Sequence, residues 1–285
     1  MSKDRNMETE SLKEQERRLR ETLKANPDDA EAHYNLGFLL RNQGRYAEAE
    51  KELREAIRIN PDYAEAHNNL GILLKNQGKY AEAEEEYREA IRINPDYAKA
   101  HSNLGILLDD QGKISEAERE FREAIRINPN LAELHYNLGG LLDEHDRLPE
   151  AEKEYREAIR LNPDFAEAHN NLGILLTETG RADEAEKELR EAIRINPDYA
   201  EAHNNLGILL DDQGKYAEAE KEYRQTIWID PDYAGAHYNL GILLANLEKF
   251  PEARAELEKA AELFEKEGRS EDAEKARELL EGLPE

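Results

Sequence analysis

The stretch Ala64–Tyr97 decides the fold of this chain, and it reads AEAHNNLGILLKNQGKYAEAEEEYREAIRINPDY. It contains two segments with apolar residues at helical spacing, separated by a turn at Gln77-Gly78. The pattern returns at an interval of 34 residues, which is the sequence signature of a solenoid built from stacked units. The recurrence is marked by Gly37, Gly71, Gly105, Gly139, Gly173, Gly207 and Gly241, and by Pro61, Pro95, Pro129, Pro163, Pro197 and Pro231.

Each repeat is predicted to form two short helices. The first spans residues 64–76, and Gly78 suits the left-handed conformation that follows a helix end. The second spans about 81–93, and Asn94-Pro95 stops it because proline disfavours helical geometry in the preceding residue. Such helices are too short to be stable alone, so the repeats must bury their apolar faces against one another. These faces carry Ala66, Leu70, Leu73 and Leu74 in the first helix, and Ala83, Tyr87, Ala90 and Ile91 in the second.

The repeat resembles the tetratricopeptide repeat, and the resemblance covers almost the whole chain. One departure is systematic, because the family usually has a large aromatic residue where every repeat here has histidine. The resemblance implies an all-α fold, a right-handed superhelical solenoid of stacked helix–turn–helix repeats, whose first helices line a concave groove. The residues that carry it are His67, Leu70, Gly71, Leu74, Ala83, Tyr87, Ala90 and Pro95.

Residues outside the regular repeats are predicted to cap the stack. Ser11 and Glu14 have the spacing of a capping box for a helix from Leu12 to about Ala25, and Ser270 is expected to cap a last helix with Leu279 and Leu280 inward. The expected organisation is a flexible segment at 1–10, an N-terminal capping helix at 11–29, seven repeats at 30–267, and a C-terminal capping helix and tail at 268–285.

Composition narrows the classes of partner. Charged residues make up 36% of the chain and the formal net charge is −26, but the regular apolar spacing argues against disorder. This acidity disfavours nucleic acids and anionic membranes and favours basic partners. The chain has no cysteine, no apolar run of ~20 residues and no signal-peptide core. We therefore expect a soluble, cytoplasmic protein, either a monomer or weakly self-associating through the ends of its solenoid.

An asparagine recurs on the polar face of every first helix, although asparagine is a weak helix former. The row resembles the asparagine ladder in the repeat region of O-linked N-acetylglucosamine transferase, whose carboxamides hold the backbone of an extended polypeptide. A carboxamide offers both a donor and an acceptor, so it matches a peptide group. The alternative is that each asparagine bonds within its own array. The row comprises Asn35, Asn69, Asn103, Asn137, Asn171, Asn205 and Asn239.

The rest of the groove varies between repeats. Tyrosines precede some row asparagines, and acidic residues lie towards the far edge, opposed only by Arg41 and Lys75. An acidic edge favours peptides that contain lysine or arginine. A clamp for a terminal carboxylate needs several cations, and only Lys99 fits such a place. The further candidate binding residues are Tyr34, Tyr136, Tyr238, Asp109, Asp143 and Asp211.

A histidine also recurs in each first helix. Metal binding is disfavoured because equivalent residues of stacked repeats lie about one repeat apart, beyond the ~2.0–2.1 Å that ligation needs. We expect buried, neutral rings with one nitrogen hydrogen-bonded, a lowered pKa, and stability that falls at acidic pH. The row comprises His33, His67, His101, His135, His169, His203 and His237.

The sequence therefore predicts a protein–protein interaction module that binds an extended, basic polypeptide. It contains no phosphate loop and no nucleophile with a base at fixed spacing, so we expect neither catalysis nor a cofactor. The alternative is a purely structural or engineered array without a native ligand, which the near-identity of the repeats favours. Trp228 stands where each earlier repeat has arginine, and we expect it to face outward.

Overall fold

A computed structural model describes the backbone of residues 2–284 and the side chains of residues 11–284. Within this range the chain is all-α, which confirms the predicted fold class. No helix in the described part is both long and apolar enough to cross a bilayer. The helices are α1 Ser2–Ala25, α2 Ala30–Asn42, α3 Tyr46–Ile59, α4 Ala64–Asn76, α5 Tyr80–Ile93, α6 Ala98–Asp110, α7 Ile114–Ile127, α8 Ala132–Asp143, α9 Leu148–Leu161, α10 Ala166–Glu178, α11 Ala182–Ile195, α12 Ala200–Asp212, α13 Tyr216–Ile229, α14 Ala234–Asn246, α15 Phe250–Lys266 and α16 Ser270–Gly282.

The helices form two compact units, an N-terminal unit of residues 1–141 and a C-terminal unit of residues 142–285. In the N-terminal unit α2 packs on α3, α3 on α4, and so on in chain order. In the C-terminal unit the same order runs from α9 to α16. Each unit by itself is therefore a stack of helix–turn–helix pairs, as the repeat predicts.

Glycine and alanine let the two helices of a repeat approach closely. A methyl group on Gly71 would lie 2.7 Å from Cε1 of Tyr87, a ring that is fully buried. In the C-terminal unit a methyl group on Gly173 would lie 2.7 Å from Cγ of Leu189. Only glycine leaves space for these side chains, so the repeated glycine is a packing requirement in both units.

The turns between paired helices use left-handed backbone. Gly78 has φ +75°, as predicted for the residue after a helix end. Two turns lack glycine there, and Asp146 and Glu248 adopt φ 57° and 59° instead. Short polar or acidic side chains tolerate this region at a modest cost. The following helices, α9 and α15, begin at the position that the repeat predicts.

The terminal helices differ from the prediction. Helix α1 begins at Ser2 rather than Leu12, so Ser11 lies inside a helix and the predicted capping box is wrong. The preceding residues contain neither glycine nor proline, so nothing local stops the helix. Ser270 is the first residue of α16 rather than its N-cap; the N-cap is Arg269, whose side chain does not cap the helix, and Leu279 is exposed. The side chains of the predicted flexible segment 1–10 lie outside the described residues.

Ion pairs link the charged side chains on the outer faces of the second helices, both within a helix and between repeats. Arg54 contacts Glu50 at 2.9 Å in its own helix and Glu82 of the next repeat at 3.1 Å. In the C-terminal unit Arg190 contacts Glu186 and Glu218 in the same way. Each exposed pair contributes only about 0–1 kcal/mol, but together they neutralise opposite charges locally. The high charge content is thus compatible with a folded stack.

Candidate functional site

A cavity of 530 Å³ opens on the first helices of the N-terminal unit. This volume lies within the range of about 300–1,000 Å³ found for ligand sites. Residues from α2, α4, α6 and α8 contribute to it, together with the residues that precede α6 and α8. Its lining consists of Tyr34, Phe38, Arg41, Asn68, Asn69, Ile72, Tyr97, Lys99, Ser102, Asn103, Leu131, Glu133 and Leu134.

The asparagine row is hydrogen-bonded from repeat to repeat. Asn103 Nδ2 donates to Asn68 Oδ1 at 2.9 Å, and Asn205 Nδ2 donates to Asn170 Oδ1 at 3.0 Å. In each case the acceptor is the residue before the row asparagine of the preceding repeat. The row therefore contributes to stacking within each unit, as the alternative interpretation expected. The same contact links Asn69 to Tyr34, Asn137 to Ser102 and Asn239 to Asn204.

Members of the row differ in how much bonding capacity they retain. Asn69 is buried, and its Nδ2 donates to the Tyr34 hydroxyl and to the Glu65 carbonyl, both at 3.0 Å. Its Oδ1 accepts from Arg41 Nη1 at 2.6 Å, so both N–H groups and the oxygen are engaged. Asn103 is partly exposed and uses its Nδ2 once. Asn103 is therefore better placed than Asn69 to contact a ligand.

Sequence reasoning missed that Arg41 and Lys99 line the same cavity. The Arg41 guanidinium lies 4.9 Å from the centroid of the Phe38 ring and is held by Asn69, and no carboxylate among the described side chains lies within ion-pair distance of it. Lys75, in contrast, has its Nζ 2.8 Å from Asp110 Oδ2. The available signal was that Lys99 replaces the glutamate found at this position in most other first helices.

Aromatic side chains form one wall of the site. The rings of Tyr34 and Tyr63 lie 4.9 Å apart between centroids. Burial, with Tyr34 and glutamate charges nearby, raises the pKa of both Tyr63 and Tyr97 to about 12. The Tyr97 hydroxyl therefore stays protonated at neutral pH. Tyr238, predicted as a binding residue, packs edge-on against Phe264 in the core of the C-terminal unit, while Tyr136 is partly buried.

The predicted acidic edge is strongest in the C-terminal unit. Asp143 Oδ2 accepts from the Tyr155 hydroxyl at 3.2 Å. Burial, reinforced by the charges of Glu178 and Glu144 and by Asp146, raises the pKa of Asp143 despite that hydrogen bond. Burial and Asp212 likewise raise the pKa of Asp211, whereas Asp109 is a partly buried residue of the N-terminal unit. Ionised carboxylates are thus costly at this edge, and a cation would relieve them.

The recurring histidine bridges two acceptors, an arrangement we call the histidine bridge. His67 Nδ1 lies 2.6 Å from Glu86 Oε2, and His67 Nε2 lies 3.0 Å from the Pro61 carbonyl oxygen. An ionised carboxylate and a carbonyl can only accept, so the two contacts are satisfied together when both ring nitrogens carry a proton. Only the imidazolium form has two N–H donors. The same pair of contacts occurs at His33, His101, His169, His203 and His237.

The prediction of a lowered pKa is wrong for His67 and His101. Burial is the largest influence on His67 and lowers its pKa, but the contacts with Glu86 and Pro61 outweigh it and raise the pKa overall. The pKa of His101 is raised in the same way by Glu120 and the preceding proline. No group of three or more histidine, cysteine, aspartate or glutamate side chains that could hold a metal ion occurs in the described residues.

Trp228 is the most exposed large apolar residue described, with 72% of its surface accessible, as expected. The equivalent residue of the preceding repeat, Arg194, contacts Glu191 at 2.8 Å and Asp164 at 3.4 Å. Trp228 cannot make these ion pairs. The substitution thus replaces a charged contact between repeats with exposed apolar surface.

Solved structures similar to this chain are helical repeat proteins. YrrB, described as a TPR protein with an unusual peptide-binding site, matches with a TM-score of 0.52 and 25% identity over 65% of this chain and 95% of YrrB. Pseudomonas aeruginosa pilF matches with a TM-score of 0.65 and 22% identity over 73% and 95% of the two chains. Yeast Tom70 matches with a TM-score of 0.65 and 19% identity over 94% of this chain and 59% of Tom70. The last two likenesses concern the fold alone.

Family models give the assignment. Among curated proteins none matches this chain significantly in sequence. Two models described as tetratricopeptide repeat match residues 28–96 and 62–130, and residues 102–164, 136–200, 178–234 and 204–268. These matches cover most of the chain and include every repeat recognised from the glycine and proline spacing. The chain belongs to the tetratricopeptide repeat family.

Proposed function

We propose that this chain is a protein–protein interaction module that binds an extended polypeptide on its first helices. Tetratricopeptide repeat proteins mediate protein–protein interactions, and the similar protein YrrB is described as having a peptide-binding site. The observation that carries the proposal is the 530 Å³ cavity of the N-terminal unit, lined by aromatic, apolar and hydrogen-bonding side chains. Such a mixture is typical of sites that bind a side chain and orient a backbone.

Asparagine binding is proposed for the exposed members of the row. Asn103 and Asn137 are partly exposed, and each shows one side-chain hydrogen bond among the described residues, through Nδ2. Their Oδ1 atoms can then accept from the backbone N–H of a ligand. A net gain of about 0.5–1.5 kcal/mol per hydrogen bond must offset the ordering of the peptide, so we expect affinities on the order of micromolar.

A basic ligand is proposed for the C-terminal unit. Its first helices α10, α12 and α14 contain no lysine or arginine, and α12 ends at Asp211-Asp212. The raised pKa values of Asp143 and Asp211 mark a site where negative charge is unfavourable without a cation. A lysine or arginine side chain of the ligand would supply that cation, more strongly at low salt.

The test is binding of random peptide libraries to the wild-type protein and to the double variant Asn103→Ala/Asn137→Ala, with affinities of recovered peptides measured by fluorescence anisotropy. Asn246→Ala, an exposed position at the end of α14, is the control. We expect the double variant to lose binding while its helical circular dichroism and the binding of the control persist. Unchanged affinity in the double variant would exclude the row as a peptide contact.

A second candidate is a purely structural array. The hydrogen bonds that join the row from repeat to repeat favour it, because they give five of the asparagines a role without any ligand. Under that hypothesis the double variant is destabilised and no peptide is recovered even by the wild-type protein. Recovery of wild-type binders would reject it. We propose no catalytic role, since families of this kind are generally non-catalytic interaction modules.

A further inference from the structure

Nearly every arginine of this acidic chain is already paired with a carboxylate. Among the arginines with described side chains, only Arg41 and Arg254 have no carboxylate within ion-pair distance. Arg254 instead donates to backbone carbonyls near the end of the chain, at 2.8 Å for Leu283. Arg41 is thus exceptional, because it lines a cavity and its charge has no counterion.

The Arg41 side chain is held in place although it lacks an acidic partner. Its guanidinium lies over the Phe38 ring at 4.9 Å, and its Nη1 donates to Asn69 Oδ1 at 2.6 Å. A weaker contact joins Nη2 to Asn42 Oδ1 at 3.2 Å. A guanidinium has five N–H donors, so three remain for another acceptor. An arginine fixed in this way loses little side-chain entropy when it binds a carboxylate.

A second cation lies on the same cavity. Lys99 is exposed, in the first turn of α6, and makes no ion pair within the described residues. Glu133 is the one acidic residue in the lining, so the cavity carries two cations and one carboxylate. The rest of the lining includes apolar and aromatic side chains, among them Phe38 of α2, Ile72 of α4 and Leu131, which precedes α8. The lining of the cavity thus combines two cationic side chains with an apolar surface.

We infer that the cavity of the N-terminal unit binds a peptide segment in which an aspartate or glutamate side chain lies beside an apolar side chain. Arg41 and Lys99 contact the carboxylate, and the apolar neighbour packs against Phe38, Ile72 and Leu131. This inference rests on the proposed function and names the ligand class for one of its two units. Arg41 supplies directed N–H donors, whereas Lys99 supplies a point charge.

The other repeats of the chain suggest test variants that the fold should accept. Most other repeats have glutamate at the position of Lys99, and the repeat of α10 has Thr177 at the position of Arg41. Lys99→Glu and Arg41→Thr therefore introduce residues that first helices of this chain already accept. Lys99→Glu is the safer of the two, because Arg41→Thr removes the partner of Asn69 Oδ1. Lys187→Glu, at an exposed position of α11, makes the same charge change in the other unit and serves as the control.

The experiment uses two random peptide libraries, one containing aspartate and glutamate and one with asparagine and glutamine in their place. All peptides have amidated C-termini, so that only side-chain carboxylates are compared. The full chain should enrich acidic–apolar peptides from the first library. Their affinity, measured by fluorescence anisotropy, should fall roughly tenfold in Lys99→Glu and in Arg41→Thr, the loss expected for one charged hydrogen-bonded contact, and stay unchanged in Lys187→Glu.

The alternative outcomes separate this inference from the proposed function. Enrichment of peptides without any preference for acidic residues, or equal affinity in Lys99→Glu, would overturn the inference and leave the proposed peptide binding intact. Binding of free-acid peptides but not of amidated ones would also overturn it. Failure to enrich any peptide from either library would overturn both.

Discussion

The first helices of the two units share one framework and differ in charge. In the N-terminal unit α2, α4 and α6 carry Arg41, Lys75 and Lys99, whereas α10, α12 and α14 of the C-terminal unit carry no lysine or arginine. Both units bury leucines and alanines at equivalent positions of the repeat and have an asparagine at the same position of each first helix. The comparison teaches that the framework is set by positions that never vary, while the charge of the first helices is set by the few positions that do, and it is to these positions that we attribute the proposed ligand preference.

The largest effect is expected from the asparagine row, which both units share. Replacing Asn69, Asn103 and Asn137 by alanine removes four hydrogen bonds between repeats of the N-terminal unit, so we expect a loss of about 2–6 kcal/mol in the free energy of unfolding. Urea unfolding followed by circular dichroism measures it. A change smaller than that of Asn246→Ala would mean that these bonds contribute nothing to stacking.

The histidine bridge is also common to the two units and should give the next largest effect. The pKa values of His67 and His101 are raised above the unfolded value of about 6.5. Their stabilisation is therefore complete below that value and is lost as the pH rises through the folded pKa. We predict a melting temperature several degrees higher at about pH 6 than at about pH 8.

The control for the histidine prediction is His67→Gln/His101→Gln. Lower pH also reduces the overall negative charge, which stabilises the fold by another route, so the wild-type difference alone is not decisive. The double variant should lose part of the difference between the two pH values. If it retains all of the difference, the bridges are not protonated and the account of these rings is wrong.

The acidic edge of the C-terminal unit sharpens the comparison of charge. In Asp143→Asn/Asp211→Asn the affinity for a lysine-rich peptide should fall by about two- to fivefold at low salt. The loss is modest because both carboxylates are partly exposed, so their contacts with lysine are screened. Binding of acidic peptides should not change. The affinities are measured by anisotropy at two salt concentrations. Equal losses for both classes of peptide would show that the two units do not differ in charge preference.

The smallest effect is expected at Trp228. Trp228→Arg restores the residue of the preceding repeats. It can form the pair with the preceding repeat, where Asp198 matches the Asp164 partner of Arg194, but not the pair within its own helix, because Gln225 stands at the position of Glu191. An exposed ion pair contributes about 0–1 kcal/mol, so stability should rise slightly or not at all. Thermal unfolding measures the change. A clear loss of stability would indicate that the indole packs against its own unit.

The sequence predicts the helices of this chain well because their signals are local and repeated. Helix α4 has the predicted bounds, since its apolar stripe ends just before Gly78, and α5 ends at the predicted residue, before Asn94-Pro95. The ends were predicted less well, because Ser11 has no stop signal before it and the helix continues through it. A single capping pattern cannot decide between two helix starts when the preceding residues also favour a helix.

The candidate site was predicted only in part, because Arg41 and Lys99 come from different repeats and the contact of His67 with Glu86 was overlooked. The partner of His67 is Glu86 in the second helix of the same repeat, a spacing that recurs in the sequence and could have been noticed. Arg41 and Lys99 are far apart in sequence, and the linear sequence alone gives no reason to assign them to one site. Only the stacking of first helices brings both to one cavity. Reading repeats as aligned layers would have revealed this pair.

The central claim is that the two units bind segments of opposite charge. Hydrogen exchange of the full chain, measured by mass spectrometry with an acidic–apolar peptide and then with a lysine-rich peptide, tests it most directly. The account predicts slower exchange in α2, α4 and α6 with the acidic peptide, and in α10 and α12 with the basic one. Protection of the same helices by both peptides would contradict it.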